Sequence, residues 1–526
     1  MAPDHFTTPI ISLITPTPPD ISAFGVRALS ADLKRHGYFV RCIFLPGGIG
    51  KLKHGGKYTY QYSDSLLYQI ENVVADSTII GLSFMSQYRD RAIQITEYLK
   101  SRLNSFFVWG GIHAEALPED ALKYANAACI DEGENALREL AERLAQKQAV
   151  DDIDGLVTSR DHLEEKLTNC RLIRDLDALP HLDIGPDNHW VLDPIEDMLK
   201  PMDNALMESI MPLMPAMGGG ALKVYRTMTS RGCPHRCTYC ANRIKAERHP
   251  GEQYLRFQSP EHVLGELQMA VNQYPFIQGI HFFDDVFTAM PEAQLETLCR
   301  LVRDEIGLPF YAQASPATIT RNQVEMMIEN GLVFLDMGIQ TGSEKIRRIY
   351  KRPETNDQIL EGTVIIDEYR RAGKLLKPHY HVILDNPWSS LHDERQTLNL
   401  LTRIPGKFKL CLASLTFYPG TDLNLMAAKA GLIQDIEQEI YRKPFYIPKG
   451  RYINYLIYLA DITWIPRHLL RILGRGPARI FDRPVWGGFF DLARRITDKL
   501  RLWGKGANAI LHGQFGRIFN YFKKVK

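Results

Sequence analysis

Two series of short apolar runs separated by amphipathic segments dominate the sequence. In the first series, which ends near residue 150, five runs rich in β-branched and aromatic residues cover residues 10–15, 40–45, 78–84, 106–109 and 127–130. Segments such as residues 23–35, 91–103 and 135–144 place apolar residues at helical spacing. Strands that alternate with helices predict a doubly wound parallel sheet, so we expect an α/β domain over residues 1–150.

The loops after these strands are the first candidates for a ligand site, because doubly wound sheets bind ligands at the carboxyl ends of their strands. They are glycine-rich or acidic: PGGIG at 46–50, GGIH at 110–113 and DEGEN at 131–135. Glycines that only close turns would give the same pattern, so both interpretations stay open. No G-x-G-x-x-G follows the first strand, which argues against a dinucleotide cofactor.

The second series of strands and helices runs from about residue 223 to 430. Its strand-like runs are residues 224–228, 279–283, 310–314, 333–339, 379–384 and 410–417, with helical patterns between them. Six such units predict a (β/α)6 partial TIM-type barrel, whose site would lie at the carboxyl ends of its strands. Residues 151–222 are predicted to be a linker, and residues 431–526 a mostly helical C-terminal region.

Composition sets the broad class. The chain has 526 residues, 45% hydrophobic and 24% charged, which excludes a disordered or fibrous protein and predicts several domains. Its eight cysteines are too few for a disulfide scaffold. Neither a basic segment before an apolar N-terminal stretch nor a run of eighteen apolar residues is found, so we expect no signal peptide and no spanning helix. A cytoplasmic protein with reduced thiols is the expectation.

The sharpest chemical signal is a cysteine triplet. Cys233, Cys237 and Cys240 form C-x3-C-x2-C directly after the first strand of the second series. Three thiolates at one strand end can hold three irons of a [4Fe-4S] cluster and leave the fourth iron open for a ligand. The alternative is zinc with His235 as the fourth ligand, although this histidine lies inside the tight cysteine loop and no second C-x2-C pair occurs.

Four further segments of the predicted barrel and the cysteine triplet resemble the same protein family. SRGCPHRCTYC (230–240), YLRFQSPEHVLGEL (254–267), HFFDDVFT (281–288), MGIQTGSEKI (337–346) and FYPGT (417–421) together resemble the radical S-adenosylmethionine (SAM) enzymes. The resemblance implies reductive cleavage of SAM at the cluster and a 5′-deoxyadenosyl radical that abstracts a substrate hydrogen. It places Tyr239 near the adenine, and Gly338, Gln340 and Ser343 on SAM. Asp284 and Asp285, at a strand end, would contact SAM or cap the next helix.

The N-terminal half extends this resemblance. A five-stranded domain, an LDALP connector and a radical SAM barrel resemble the cobalamin-dependent class of the family. The resemblance implies a corrin site, for which the predicted contacts are Ser83, Gly110, Gly111 and Glu132. Plain turn chemistry is the alternative at each of these positions. The chain has no D-x-H-x-x-G, so histidine ligation of the cobalt is not expected.

Charge is distributed unevenly along the chain. The whole chain carries a net +2, but residues 451–526 hold fifteen Lys or Arg and four Asp, a net of +11, against −9 for the rest. Within residues 489–504 a helical face combines Phe489, Leu492, Ile496, Leu500 and Trp503. Such a segment suits an anionic membrane surface. The alternative is a basic helix that covers the acidic barrel. No nucleic-acid-reading module is found, so a nucleic-acid partner is not expected.

These observations predict a cobalamin-dependent radical SAM enzyme that modifies, most often by methylation, an unactivated carbon of an apolar, lipid-like or isoprenoid small molecule. A radical cyclase or rearrangement enzyme with the same cofactors is the alternative, and a non-catalytic metal-binding ligand sensor is an alternative of another class. The expected partners are an electron donor such as flavodoxin or ferredoxin and a membrane surface. The expected location is cytoplasmic, at the inner face of the membrane.

Overall fold

The first of two large sheets is built around the N-terminal apolar runs. The computed structural model describes residues 8–47, 61–163, 171–193, 195–251 and 253–511; residues 48–50 of the PGGIG loop and 512–526 of the basic tail lie outside these ranges. The sheet has eight strands: β1 (Ile10–Thr15), β2 (Phe39–Phe44), β3 (Ile79–Ser83), β4 (Phe106–Gly110), β5 (Ala127–Cys129), β6 (Leu156–Val157), β7 (His189–Asp193) and β8 (Met198–Pro201). Their spatial order is β6-β5-β4-β3-β1-β2-β7-β8, with antiparallel strands only at the two edges.

Helices cover both faces of this sheet. They are α1 (Phe24–Arg35), α2 (Asp64–Val74), α3 (Arg89–Lys100), α4 (Gly111–Ala116), α5 (Pro118–Ala121) and α6 (Gly133–Ala145). The helices α1 and α6 contribute to one hydrophobic core, and α2 and α3 to another. Five of the six residues of β1 are buried, as a strand covered on both faces requires. The predicted doubly wound sheet is confirmed, and the winding changes direction between β1 and β3.

The segment predicted as a linker is more structured than its prolines and methionines indicate. It supplies β6, β7 and β8 to the first sheet, followed by α7 (Asn204–Ile210) and β9 (Leu213–Pro215). The last of these strands pairs antiparallel with the first strand of the second sheet. Residues 151–222 therefore extend the five predicted strands to eight and join both sheets. The domain boundaries at 150, 222 and 430 stay predictions.

The second sheet is an open half-barrel. After β9 it contains six parallel strands in sequential order: β10 (Ala221–Thr227), β13 (Gly279–Phe282), β14 (Phe310–Ala314), β15 (Leu332–Gln340), β16 (His379–Leu384) and β17 (Lys409–Ser414). A separate antiparallel pair, β11 (Ser230–Arg231) and β12 (Arg256–Phe257), lies beside the cysteine loop. The predicted partial barrel of six strands is thereby confirmed.

Helices follow the barrel strands as expected for βα units. They are α8 (Asn242–Arg248), α9 (Pro260–Gln273), α10 (Glu292–Leu301), α11 (Arg321–Glu329), α12 (Glu344–Ile349), α13 (Asn356–Arg371), α14 (Leu391–Arg403) and α15 (Asp422–Lys429). Local sequence fixes several starts: Thr355 and Gln358 form a capping box on α13, and Ser390 and Asp393 form one on α14.

The C-terminal region is helical, as predicted. It contains α16 (Tyr452–Leu459), α17 (Arg467–Leu473), α18 (Gly476–Phe481) and α19 (Gly487–Leu511). The helix α16 packs on α14 of the barrel, and α19 packs on α16. None of the helices in the described ranges combines the length and the apolar character needed to cross a bilayer.

Candidate active site

A cavity of about 490 Å³ lies where the carboxyl ends of the two sheets face each other. The first sheet lines it with residues that follow β3, β4 and β5, namely Ser83, Gly110, Gly111 and Glu132. The barrel lines it with residues that follow β10 and β13, namely Ser230, Gly232, Cys240, Asn242 and Asp285. The predicted corrin contacts and one predicted cluster ligand therefore share a single cavity, which is large enough for a sizeable ligand.

The cysteine triplet occupies the loop between β11 and α8. Cys237 is buried, whereas Cys233 and Cys240 are partly accessible, and all three are free thiols. Burial raises the pKa of Cys233 and of Cys240 to about 12, so bare thiols here would stay protonated and a bound metal would have to displace the protons.

The geometry of the loop favours a cluster over a single zinc ion. Among the described residues, the three Sγ atoms do not all lie within 4.8 Å of one another. A cluster spreads its thiolates over separate irons, whereas one zinc ion gathers them. His235, the proposed fourth zinc ligand, has Nε2 2.9 Å from Ser315 Oγ and is buried there, with a pKa lowered to about 4 by burial and by Arg352. The donor set fits a [4Fe-4S] cluster.

The predicted SAM contacts have mixed surroundings. Tyr239 is partly buried, with its ring 4.9 Å from the ring of Tyr350. Gln340 adopts a positive φ of 63°, and a side chain on Gly338 would collide with its amide. Ser343 is buried, caps α12 through Ile346 N at 3.3 Å and donates to Asp393 Oδ1 at 2.7 Å. The Ser343 hydroxyl therefore has a structural role, and contact with SAM stays a prediction for all four residues.

Asp284 has a structural role that the sequence did not reveal, and its contact with SAM stays a prediction. Its buried carboxylate accepts hydrogen bonds from Thr229 N at 2.9 Å and from Ser230 Oγ at 2.5 Å, so it fixes the strand end that precedes the cysteine loop and caps no helix. Burial raises its pKa to about 6. Its neighbour Asp285 lines the cavity instead and accepts from Asn242 Nδ2 at 2.7 Å. Asp285 is thus better placed than Asp284 for a bound cofactor.

Two of the predicted corrin contacts, Gly110 and Gly111, have no side chain and form the cavity wall through their backbone. Gly111 has a φ of +78°, and a Cβ there would lie 2.8 Å from Phe84 N and 2.9 Å from Ser83 Oγ. Only glycine fits this turn without strain. The nearby His113 is buried, with Nδ1 3.1 Å from Ser86 Oγ and Nε2 3.1 Å from Asp120 Oδ2. Both ring nitrogens of His113 thus have hydrogen-bond partners within the first domain.

Glu132 lines the cavity, but its carboxylate is engaged elsewhere. It accepts from Arg256 Nη2 at 2.8 Å and from Ile173 N at 2.7 Å, and Arg231 Nη1 lies 3.3 Å away. Burial alone would raise its pKa, but Arg256 and Arg231 outweigh burial and lower it to about 2. Glu132 therefore links the first sheet to the barrel through Arg256 and Arg231. Its contact with a corrin stays a prediction.

Sequence reasoning missed Arg352, which lies close to the triplet. Its buried guanidinium donates to Gly338 O at 3.0 Å and to Glu354 Oε1 at 2.7 Å, and Nη1 lies 3.8 Å from Cys237 Sγ. A single arginine after a helix carries no motif signal. Only the fold brings it from the end of α12 to the cysteine loop.

The barrel interior holds a second group that the sequence did not reveal. His381 Nε2 lies 2.7 Å from Asp336 Oδ1. His281 packs against Phe283 and Tyr311, and both of its ring nitrogens lack a partner among the described residues. Burial lowers its pKa to about 3, so it is neutral at pH 7. The period-two alternation of the strands turns these polar side chains inward, but only the half-barrel shape shows that they meet.

Comparison with known proteins identifies the class. Residues 227–376 match the model of the radical SAM superfamily. The fold of most of the chain is shared with the radical SAM methyltransferase TsrM from Kitasatospora setae, solved with cobalamin and a [4Fe-4S] cluster (TM-score 0.58, 14% identity, 81% of this chain and 75% of that one). Residues 227–376 are thus similar to the radical SAM superfamily, and most of the chain shares its fold with a radical SAM methyltransferase solved with cobalamin and a cluster, in agreement with the resemblance seen in the sequence.

Two further relatives agree with this class. The cobalamin-dependent SAM radical enzyme OxsB, solved with aqua-cobalamin and SAM, matches with a TM-score of 0.58 and 16% identity over 81% of this chain and 62% of that one. In Pyrococcus horikoshii, the "Uncharacterized methyltransferase PH0819" is 25% identical over 292 residues, which span 54% of this chain and 56% of that protein. The cofactors bound in TsrM and OxsB are those predicted here from the sequence.

Proposed function

We propose that this protein is a cobalamin-dependent radical SAM enzyme that methylates an unactivated carbon of an apolar, lipid-like or isoprenoid small molecule. The observation that carries the proposal is the shared cavity. Cys240 of the triplet and the backbone of Gly110 and Gly111 line the same space between two sheets. An enzyme that passes a group between a corrin and SAM needs both cofactors in one enclosed volume, since positioning supplies much of the rate.

The residues of this chain would divide the work as follows. Cys233, Cys237 and Cys240 would hold the cluster, which supplies the electron for SAM cleavage when bound. Arg352 would orient the cysteine loop and the Gly338 carbonyl through its hydrogen bonds. The side-chain-free wall at Gly111 would let a flat macrocycle approach the backbone.

The substrate and partners are the finer part of the proposal. The polar set formed by His281, Asp336 and His381 could bind a polar group of an otherwise apolar substrate inside the barrel. Tryptophan is bound in one TsrM structure, so a fold of this kind accepts a small molecule with polar ends. We further propose flavodoxin or ferredoxin as the electron donor and a cytoplasmic location at the inner face of the membrane.

Anaerobic reconstitution tests the cofactor assignment. We expect about four irons per chain, corrin absorbance that remains after gel filtration, and 5′-deoxyadenosine or S-adenosylhomocysteine formed from SAM under reduction. Cys240→Ala should abolish SAM turnover. The matched control Cys299→Ala changes a buried thiol in α10 and should leave it intact. One zinc per chain without SAM turnover would instead support a metal-binding ligand sensor.

Methylation is separated from the alternative chemistry by its product. Extracts from cells with and without the gene, compared by mass spectrometry, should show a gain of about fourteen daltons, one methylene, that acquires label from methyl-labelled SAM. A loss of about two daltons without label would support the radical cyclase instead.

A further inference from the structure

The C-terminal helix α19 is amphipathic, but its apolar stripe faces solvent rather than the core. A helix on a globular protein usually turns its apolar stripe toward the core. Here the five side chains of the predicted stripe face outward, with exposed fractions of 58% for Phe489, 55% for Leu492, 49% for Ile496, 61% for Leu500 and 72% for Trp503. These five side chains are therefore not buried against the barrel.

The inner face of α19 explains this orientation, because it is held mainly by polar contacts to α16 and the residues after it. Thr497 Oγ1 lies 2.9 Å from Tyr455 OH, Tyr458 OH donates to Asp498 at 2.5 Å, and Arg501 pairs with Asp461 at 3.0 Å. Phe490 is the apolar exception and packs against tyrosines of α16. These contacts fix the rotation of the helix, so the apolar stripe cannot turn inward without breaking them.

Exposed apolar side chains are concentrated in this part of the molecule. Of the 25 large apolar side chains that are exposed in the described ranges, twelve lie between residues 464 and 503. Part of this set is contiguous: the Trp486 ring lies 5.6 Å from Phe481 and 6.4 Å from Phe489. Contiguous exposed patches of this kind mark interaction sites.

Basic side chains are interleaved with this apolar set. The exposed cations between residues 464 and 503 are Arg471, Arg475, Arg479, Arg483, Arg495 and Lys499. Within the described part of the chain none of the six forms an ion pair. The three acids among them have other partners: Asp482 pairs with Arg451, Asp491 with Arg494, and Asp498 accepts from Tyr458. The surface is thus both apolar and positive, which complements a bilayer with anionic headgroups and apolar acyl chains.

We propose that this surface, formed by α17, α18 and the outer face of α19, docks the enzyme on an anionic lipid bilayer. The aromatic and aliphatic side chains enter the headgroup boundary, and the six cations bind lipid phosphates. The inference deepens the proposed membrane location by naming the surface. Vesicle binding requires neither cofactor nor turnover, so its failure would leave the proposed chemistry standing.

The test is sedimentation of the full-length protein with vesicles. We expect binding to vesicles of equal parts phosphatidylglycerol and phosphatidylcholine, at least about tenfold weaker binding to phosphatidylcholine alone, and release as NaCl rises to about 0.5 M. Equal binding to both vesicles, or to neither, would overturn the proposal.

Paired variants distinguish docking through this surface from nonspecific adsorption of the protein to vesicles. Ile496→Glu/Leu500→Glu changes two exposed side chains on α19 and should weaken vesicle binding at least about tenfold while the thermal midpoint stays unchanged. The control Leu213→Glu/Leu425→Glu changes two leucines, each 63% exposed, elsewhere, and should bind as the wild type does. Equal effects of both doubles would overturn the proposal. The wild type could instead form a dimer in solution that Ile496→Glu/Leu500→Glu dissociates and the control does not. If vesicle binding stayed intact in that variant, the surface would be assigned to a second copy of the chain.

Discussion

Arg352 offers the most direct single-residue test of the cysteine loop. A positive charge near a cluster stabilises its more negative, reduced form, so Arg352→Met should lower the midpoint potential by an amount on the order of tens of millivolts and weaken SAM binding. An anaerobic titration followed by electron paramagnetic resonance measures the first effect. Arg348→Met, at an exposed arginine of the preceding helix α12, is the control and should change neither quantity. A potential equal to that of the wild type would limit Arg352 to a structural role.

The ionisation of His189 is expected to make the stability of the fold depend on pH. Burial opposes its charged form, but Cys42 and Asp183, whose carboxylate lies 2.9 Å from Nε2, outweigh burial and raise its pKa to about 9. A histidine with a raised folded-state pKa stabilises the fold fully below its unfolded value near 6.5, and this contribution disappears as pH rises through 9. Protonated His189 also has to give up the hydrogen bond that Nδ1 accepts from Cys42 N at 3.1 Å, so the net loss is smaller than the pKa shift alone implies. The thermal midpoint should therefore fall from pH 6.5 to 9.5 more steeply in the wild type than in His189→Gln.

The control for this pH effect is His36→Gln, because His36 is more exposed than His189. Its midpoint should fall with pH as steeply as that of the wild type. Identical slopes for His189→Gln and the wild type would show that the His189–Asp183 pair contributes no such linkage.

At single residues, the sequence predicts chemistry better than it predicts contacts. The triplet Cys233, Cys237 and Cys240 is recognisable because metal-ligand spacing is local in the chain. Glu132 was assigned to a corrin, but its partner Arg256 is 124 residues away, and no local pattern announces that pair. The structural role of Asp284 was missed for the same reason, since the strand end that it holds precedes it by more than fifty residues.

Among the elements, the turn between β4 and α4 carries a sharp steric constraint. Gly111→Ala would place a methyl group against the backbone of Phe84 in a left-handed conformation, with an expected cost of about 2–5 kcal/mol and loss of corrin uptake. The control Gly373→Ala has a nearly equal φ of +73° but open space around it, so it should cost only about 1 kcal/mol. Thermal midpoints and corrin absorbance after gel filtration measure both effects. Equal midpoints for the two variants would contradict the steric argument.

Elements with strong periodicity were predicted well. The strands β1, β14 and β16 have the predicted bounds. The first is a mostly apolar run that is buried on both faces, and β16 alternates buried and less buried positions with period two. The strands β7, β8 and β9 were missed, since they are short edge or hairpin strands whose pairing depends on partners already in place. Prolines and methionines in that segment indicated an irregular connector.

For the whole molecule, the contact between Glu132 and Arg256 couples the two sheets. Arg256→Met would leave a buried carboxylate short of its main partner, with an expected cost on the order of 3 kcal/mol and faster proteolysis between the domains. Adding Glu132→Gln should restore most of the stability, because it removes the unpaired charge. Thermal midpoints of the two singles and the double measure this coupling. Loss of corrin uptake in Glu132→Gln at wild-type stability would instead assign Glu132 to the cofactor.

The strands that residues 151–222 give to both sheets also bear on how the chain is made. During synthesis the first sheet cannot acquire its β7–β8 edge until residue 201 has left the ribosome. By then α7 and β9, which lead into the barrel, follow within fifteen residues. Because the last barrel strand ends at Ser414, the first sheet is expected to fold before the barrel is complete, with β9 already in place for β10 to pair with. A fragment cut at residue 150 would expose the edge of β2 and aggregate through it.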